Sequence, residues 1–79
     1  MIQVKLMPLL AKRATSRKEQ LAVEYRAGLT PAAIAEQEGF HGVDLEPLMA
    51  VVNGAQAELD TPLADGDAVE LMVGIAGGA

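Results

Sequence analysis

Two glycines, Gly77 and Gly78, stand one residue before the last residue of the sequence, Ala79. Glycine has no side chain to react, so the group such a pair can offer is a backbone carboxylate on a thin strand. Small residues at a terminus also simply fray, so the pair decides nothing alone. Other residues able to do chemistry are few. Cysteine is absent, which removes disulfides, thiolate metal sites and thiol nucleophiles. His41 is the single histidine. A lone imidazole makes a poor metal site without converging carboxylates and reads as a loop or packing residue. Ser16 and the threonines have no nearby base to activate them. Asp65 and Asp67 flank Gly66, but a calcium loop needs more ligands at fixed spacing. They read as a tight turn with solvated carboxylates. The glycine pair opens no helix and precedes no Lys-Ser/Thr, so it is not a phosphate loop. Nothing describes a self-sufficient enzyme, and no bound cofactor or metal is expected.

The elements that must position such a terminus are legible from periodicity. "IQVKL" alternates, with Ile2, Val4 and Leu6 on one face, as in a half-buried strand. Pro8 lacks an amide donor and suits an edge, a bulge or a strand end. "AKRATSRKEQ" reads as a charged turn, and "QLAVEY" alternates again through Leu21, Val23 and Tyr25. The first 27 residues thus read as a β-hairpin. "GLTPAAIAEQEGF" predicts a short helix. Thr30 is its N-cap and Pro31 its first residue. Leu29 and Ile34 form a hydrophobic staple, and Gly39 stops the helix with Phe40 folding back. "HGVDLEP" reads as a connection. "LMAVV" is a strand stopped by the turn signal Asn53-Gly54. "AELDTPLADGD" holds one brief strand and then turns, punctuated by Pro62 and Asp65-Gly66. "AVELMV" is the last strand, its core face carrying Val69, Leu71 and Val73. The methionines read as core filler, except that Met72 alternates towards the side of Glu70, a candidate exposed contact near the tail. One helix must then cover one face of a mixed sheet of four to five strands. This is an α+β chain on the β-grasp plan, with residues 1–73 as the domain and 74–79 as a flexible tail.

With 79 residues, only about 60–65 % of the unfolded surface is buried, so the core is small. Tyr25 and Phe40 are its only aromatic residues. Charge is segregated: residues 1–26 hold all six Lys and Arg against two acids, and residues 27–79 hold nine acids and no Lys or Arg. The net charge of −5 disfavours nucleic acid as a generic partner. The basic end reads as a solvated hairpin or a partner patch. No apolar run approaches the roughly 20 residues of a membrane span. The order of basic and apolar residues at the start is the reverse of a signal peptide's. A cytoplasmic protein without a membrane partner is the expectation.

"VNG" at 52–54, "LDTPLADGDAVEL" at 59–71 and "AGG" at 76–78 together resemble the small sulfur-carrier proteins of the ThiS/MoaD type, a ubiquitin-like family. These include the small subunit of molybdopterin synthase and the sulfur carrier of thiamine biosynthesis. The resemblance covers the second half of the chain well and the first half in element order. It implies a mechanism in which an adenylating, E1-like enzyme uses ATP to activate the terminal glycine carboxylate. A sulfur donor then makes it a thiocarboxylate, which delivers sulfur inside an accepting synthase. Carried over residue by residue, Gly77 and Gly78 are the reactive terminus. Gly74, Ile75 and Ala76 are partner contacts, and Met72, singled out by its alternation, is either a further partner contact or incidental surface or second-face packing. The tail's small residues suit a narrow tunnel, since glycine permits close backbone approach. Five residues, 74–78, span at most about 16–18 Å.

Ala79 departs from that pattern. A processing protease removes it, or the partner tolerates it, or the carrier role has been lost while the fold remains. "LMVGI" also lacks the Pro pair common in the molybdopterin branch. A different class of function shares the same fold and tail: a ubiquitin-like modifier joined to lysines, or a non-covalent subunit of an enzyme complex.

Overall fold

The computed structural model describes residues 1–74. The chain runs β1 (Ile2–Leu6), α1 (Pro8–Ala11), β2 (Gln20–Val23), α2 (Pro31–Gln37), a 3₁₀ turn (Gly42–Leu45), β3 (Leu48–Val52), β4 (Ala55–Ala57) and β5 (Ala68–Val73). The five strands form one mixed sheet in the order β2-β1-β5-β3-β4. β1 and β5 are parallel at its centre, with Val4 opposite Val69 and Leu6 opposite Leu71. All other pairings are antiparallel. The alternation that predicts β1 is seen directly, since Ile2, Val4 and Leu6 are buried while Gln3 and Lys5 are exposed.

α2 covers the buried face. Thr30 Oγ1 accepts from the Ala33 amide at 3.1 Å, which satisfies one free donor of the first turn. Leu29 and Ile34 are both fully buried beneath it, consistent with a staple. At the other end Gly39 takes φ +98. Its amide donates to Glu36 O and that of Phe40 to Ala35 O, the paired bonds of a Schellman stop. Two turns do not hold themselves in water. Ile34, with no exposed surface, contributes about 1.5–3 kcal/mol by burial. Leu59 O and the Leu63 amide bond to the Ala32 amide and Leu29 O, so the segment before β5 clamps the start of the helix.

Two local expectations need correction. The segment after β1 is not all turn, because Pro8–Ala11 is a helical turn with Pro at its first position. No side chain caps it. It is held by burial of Leu10 and Ala11, a tertiary cause that local signals do not carry. The brief strand lies at Ala55–Ala57 rather than within 57–67, because the two-residue turn at Asn53-Gly54 returns the chain at once along β3. The connection 41–47 contains a 3₁₀ turn. His41 precedes that turn and is exposed.

Candidate functional site

The parallel pairing of β1 with β5 sends the chain after β1 to the end of the sheet where β5 finishes. The antiparallel pairing of β3 with β5 brings the start of β3 there too, with Leu48 opposite Val73. Three segments therefore meet at the root of the tail. The Met7 amide donates to Leu71 O at 3.0 Å. The Val73 amide points at Met7 Sδ, 3.1 Å away, a weak acceptor. The Gly74 amide donates to Pro47 O at 2.7 Å. Gly74, read from the sequence as the first tail residue, is thus still held against the approach to β3.

Gly74 is needed for space rather than for backbone torsion, since it does not occupy the left-handed region. A Cβ there would lie 2.7 Å from Met49 Cγ and 2.8 Å from Met49 Sδ. Met49 in turn faces Met72 across the β3–β5 pairing. Both are half-buried on the sheet face opposite α2. Met72 therefore has a neighbour on its own sheet. Ile75, Ala76, Gly77, Gly78 and Ala79 lie outside the described residues, as does the expectation of a mobile tail beyond Gly74.

The other end of the sheet holds the two loudest motifs. Asn53 takes φ +51 and Gly54 φ +85, the two positive torsions of a tight hairpin turn. Asn53 Nδ2 donates to Asp67 Oδ1 at 2.9 Å. Asn53 Oδ1 accepts from the Ala68 amide at 2.9 Å, and Asp67 Oδ2 from the Ala64 amide at 2.8 Å. "VNG" and "DGD" are therefore two halves of one clamp. The bond from the Ala64 amide, then that from Asn53, holds the Asp67 carboxyl below its ordinary value, against a smaller effect of burial. The tight turn at Asp65-Gly66 forms at the surface as expected, and Asp65 pairs there with the Met1 ammonium while remaining exposed. Sequence reasoning found both motifs but not their partnership. It missed Pro47 and Met49, which carry no motif.

Among the described residues no three His, Asp or Glu side chains converge to hold a metal ion. No described helix is long and apolar enough to cross a membrane.

A five-stranded mixed sheet covered by one main helix, with β1 and β5 parallel at its centre, defines a β-grasp, ubiquitin-like protein. The ThiS family model matches residues 9–78, and the chain belongs to that family. It is thus one of the small ubiquitin-like proteins of the sulfur-carrier and modifier kind. The crystal structure of SAMP1 from Haloferax volcanii superposes with a TM-score of 0.71 at 21% identity, covering 98% of each chain, a likeness of fold. No curated protein matches the chain.

Proposed function

We propose that this chain carries sulfur as a thiocarboxylate on Gly78, after removal of Ala79. The carrying observation is the family match, which runs through the glycine pair and stops at Gly78, leaving Ala79 outside it. A carboxylate is a poor electrophile until a leaving group is attached. An adenylating partner supplies that group: a Gly78 carboxylate oxygen attacks the α-phosphorus of ATP and pyrophosphate leaves. A sulfur nucleophile then displaces AMP from the acyl carbon. The thiocarboxylate passes its sulfur to a small-molecule precursor in an accepting synthase, for a molybdopterin- or thiamine-type product. On this reading the chain contributes no catalytic side chain. The folded body docks, and residues 74–78 reach about 16–18 Å into the partner.

The arrangement at the root supports this reading. Pro47 O and Met49 hold Gly74, so the reach is measured from a fixed point. The test is an intact mass. A chain ending at Gly78 is incubated with ATP, its adenylating enzyme and a sulfur source. Exchange of one oxygen for sulfur at the terminus is expected. An unchanged mass, with no adenylate trapped in the absence of the sulfur source, would falsify the proposal. Isopeptide remnants of the tail on target lysines, without a thiocarboxylate, would place the chain with the modifiers instead.

A further inference from the structure

Among the described residues only three large apolar side chains are strongly exposed: Met1, Leu9 and Val43, the last at 75%. Leu9 and Val43 line one shallow groove of about 130 Å³. Leu9 belongs to α1 and Val43 to the 3₁₀ turn. Val73 and Pro47 line the same groove. It therefore opens beside the root of the tail, on the α1 side of the sheet, away from the face that carries Met49 and Met72. Phe40 and Leu48 form part of its lining, so the groove is continuous with the core, and its exposed rim is apolar on two separate elements.

Charge singles out the same end. Lys12, Arg13, Arg17 and Lys18 follow α1 and are all exposed. Among the described residues none of them forms an ion pair. Arg13 lines the groove on one side and Asp44 on the other. Lys12 and Arg17 line a neighbouring hollow with Glu19, and the chain as a whole carries −5, so this basic segment stands out against an acidic body. An apolar centre with charged side chains at its edge, here Arg13 and Asp44, is the anatomy of a protein interface. A lone exposed apolar residue needs no explanation; here two, from separate elements, share one groove.

We infer that Leu9 and Val43 form the seat for the adenylating enzyme that receives the tail. This rests on the carrier reading and adds the place of contact. The length of the tail selects this occupant. An enzyme holding Gly78 is at most about 16–18 Å from Gly74, and the groove shares Val73 and Pro47 with that root. The matching surface on the enzyme is an aliphatic projection into the groove, flanked by an acid facing Arg13 and a base facing Asp44. Contact here orients the body so that the tail enters the active site along one line. The charged rim speeds encounter and makes it sensitive to salt.

The test compares three chains ending at Gly78: the parent, Leu9→Asp/Val43→Asp, and the control Ala22→Asp on exposed β2 of the far sheet face. Both altered sites are exposed, and melting curves check that each chain is folded. Binding to the adenylating enzyme and thiocarboxylate formation are measured side by side. The double variant is expected to raise KM and Kd roughly tenfold or more, with kcat within about twofold because the tail is untouched. The control should match the parent. Equal KM and Kd for the double variant and the parent would overturn the inference and leave the carrier reading standing. Binding by the parent that the double variant loses, with no thiocarboxylate from either, would sink the carrier reading but keep the seat. No binding by the parent at all would overturn both.

Discussion

The two ends of the sheet are built from different materials. At the end where β5 begins, Asn53, Asp67, Ala64 and Ala68 exchange short polar hydrogen bonds. At the end where β5 finishes, Met7 and Pro47 meet the strand and Gly74 through two backbone hydrogen bonds, a weak contact of the Val73 amide with sulfur and, under Met49, a space without a Cβ. The polar end closes a turn. The plain end releases the tail. Prominence in sequence is therefore a poor guide to position: the motifs that reveal the family are architecture, and the residues that hold Gly74 are inconspicuous. If that division is right, damage to the two ends should separate cleanly into lost stability and lost transfer.

The largest effect belongs to the terminus itself. A chain kept at Ala79, presented to the adenylating enzyme without any protease, should form thiocarboxylate at least about 100-fold more slowly than a chain ending at Gly78. An extra residue moves the reacting carbon by about 3.3–3.6 Å, and a misplacement of 1 Å alone costs on the order of 100-fold. Equal rates would show that the partner tolerates alanine and that removal of Ala79 is unnecessary. Thermal unfolding of the two chains should be the same.

Next comes Gly74→Ala. The added Cβ cannot stay within 2.8 Å of Met49, so either Met49 turns away or Gly74 leaves Pro47 O. Met49 is flexible, so the fold should lose only about 1 kcal/mol. The direction of the tail should change more, lowering kcat/KM for transfer roughly tenfold. The double variant Gly74→Ala/Met49→Ala removes the obstruction and should recover most of the lost transfer. Absence of that recovery would show that the hydrogen bond to Pro47, rather than the space under Met49, sets the exit.

These expectations depend on features of unequal legibility. α2 was readable because its determinants are local: Thr30, Pro31, Ile34 and Gly39 each occupy the position their chemistry favours. β1 was readable from strict alternation, and β5 from Val69 and Leu71, though Val73 at its exit is only half-buried. α1 was not, because no side chain caps it. β4 was misplaced because Ala-Gln-Ala has little strand preference and is a strand only by pairing with β3. The tail root was least visible of all. That Gly74 meets Pro47 and Met49 follows from the register Leu48–Val73, a fact of tertiary pairing that no spacing within either segment encodes.

At the polar end the expected losses fall on stability. Asn53→Ala removes two hydrogen bonds and places a Cβ-bearing residue without Asn's local bonding at φ +51. It should cost about 1–2 kcal/mol in chemical denaturation. Thiocarboxylate formation at a temperature where both chains are folded should stay within about twofold. A transfer defect larger than the stability defect would mean that the two ends communicate along β5, and the division of labour would fail.

Asp67→Asn gives the smallest effect and the sharpest signature, because it depends on pH. The carboxylate accepts from both the Ala64 amide and Asn53 Nδ2, whereas an amide oxygen and its NH₂ cannot both accept. The folded-state pKa lies below the ordinary 3.8, so the anion is favoured in the folded chain. Its stabilisation is fully present above the unfolded value and is lost as pH falls through the lower, folded one. Parent and variant should therefore differ in melting temperature at pH 7, and the gap should close as pH is taken below 3.8. At low pH both side chains are neutral, and neither offers two accepting oxygens of an anion. A gap independent of pH would assign the loss to shape rather than charge. Transfer rates of parent and variant, compared at the activating enzyme's working pH, should agree, since the Asp67 clamp sits at the end of the sheet from which the tail does not leave.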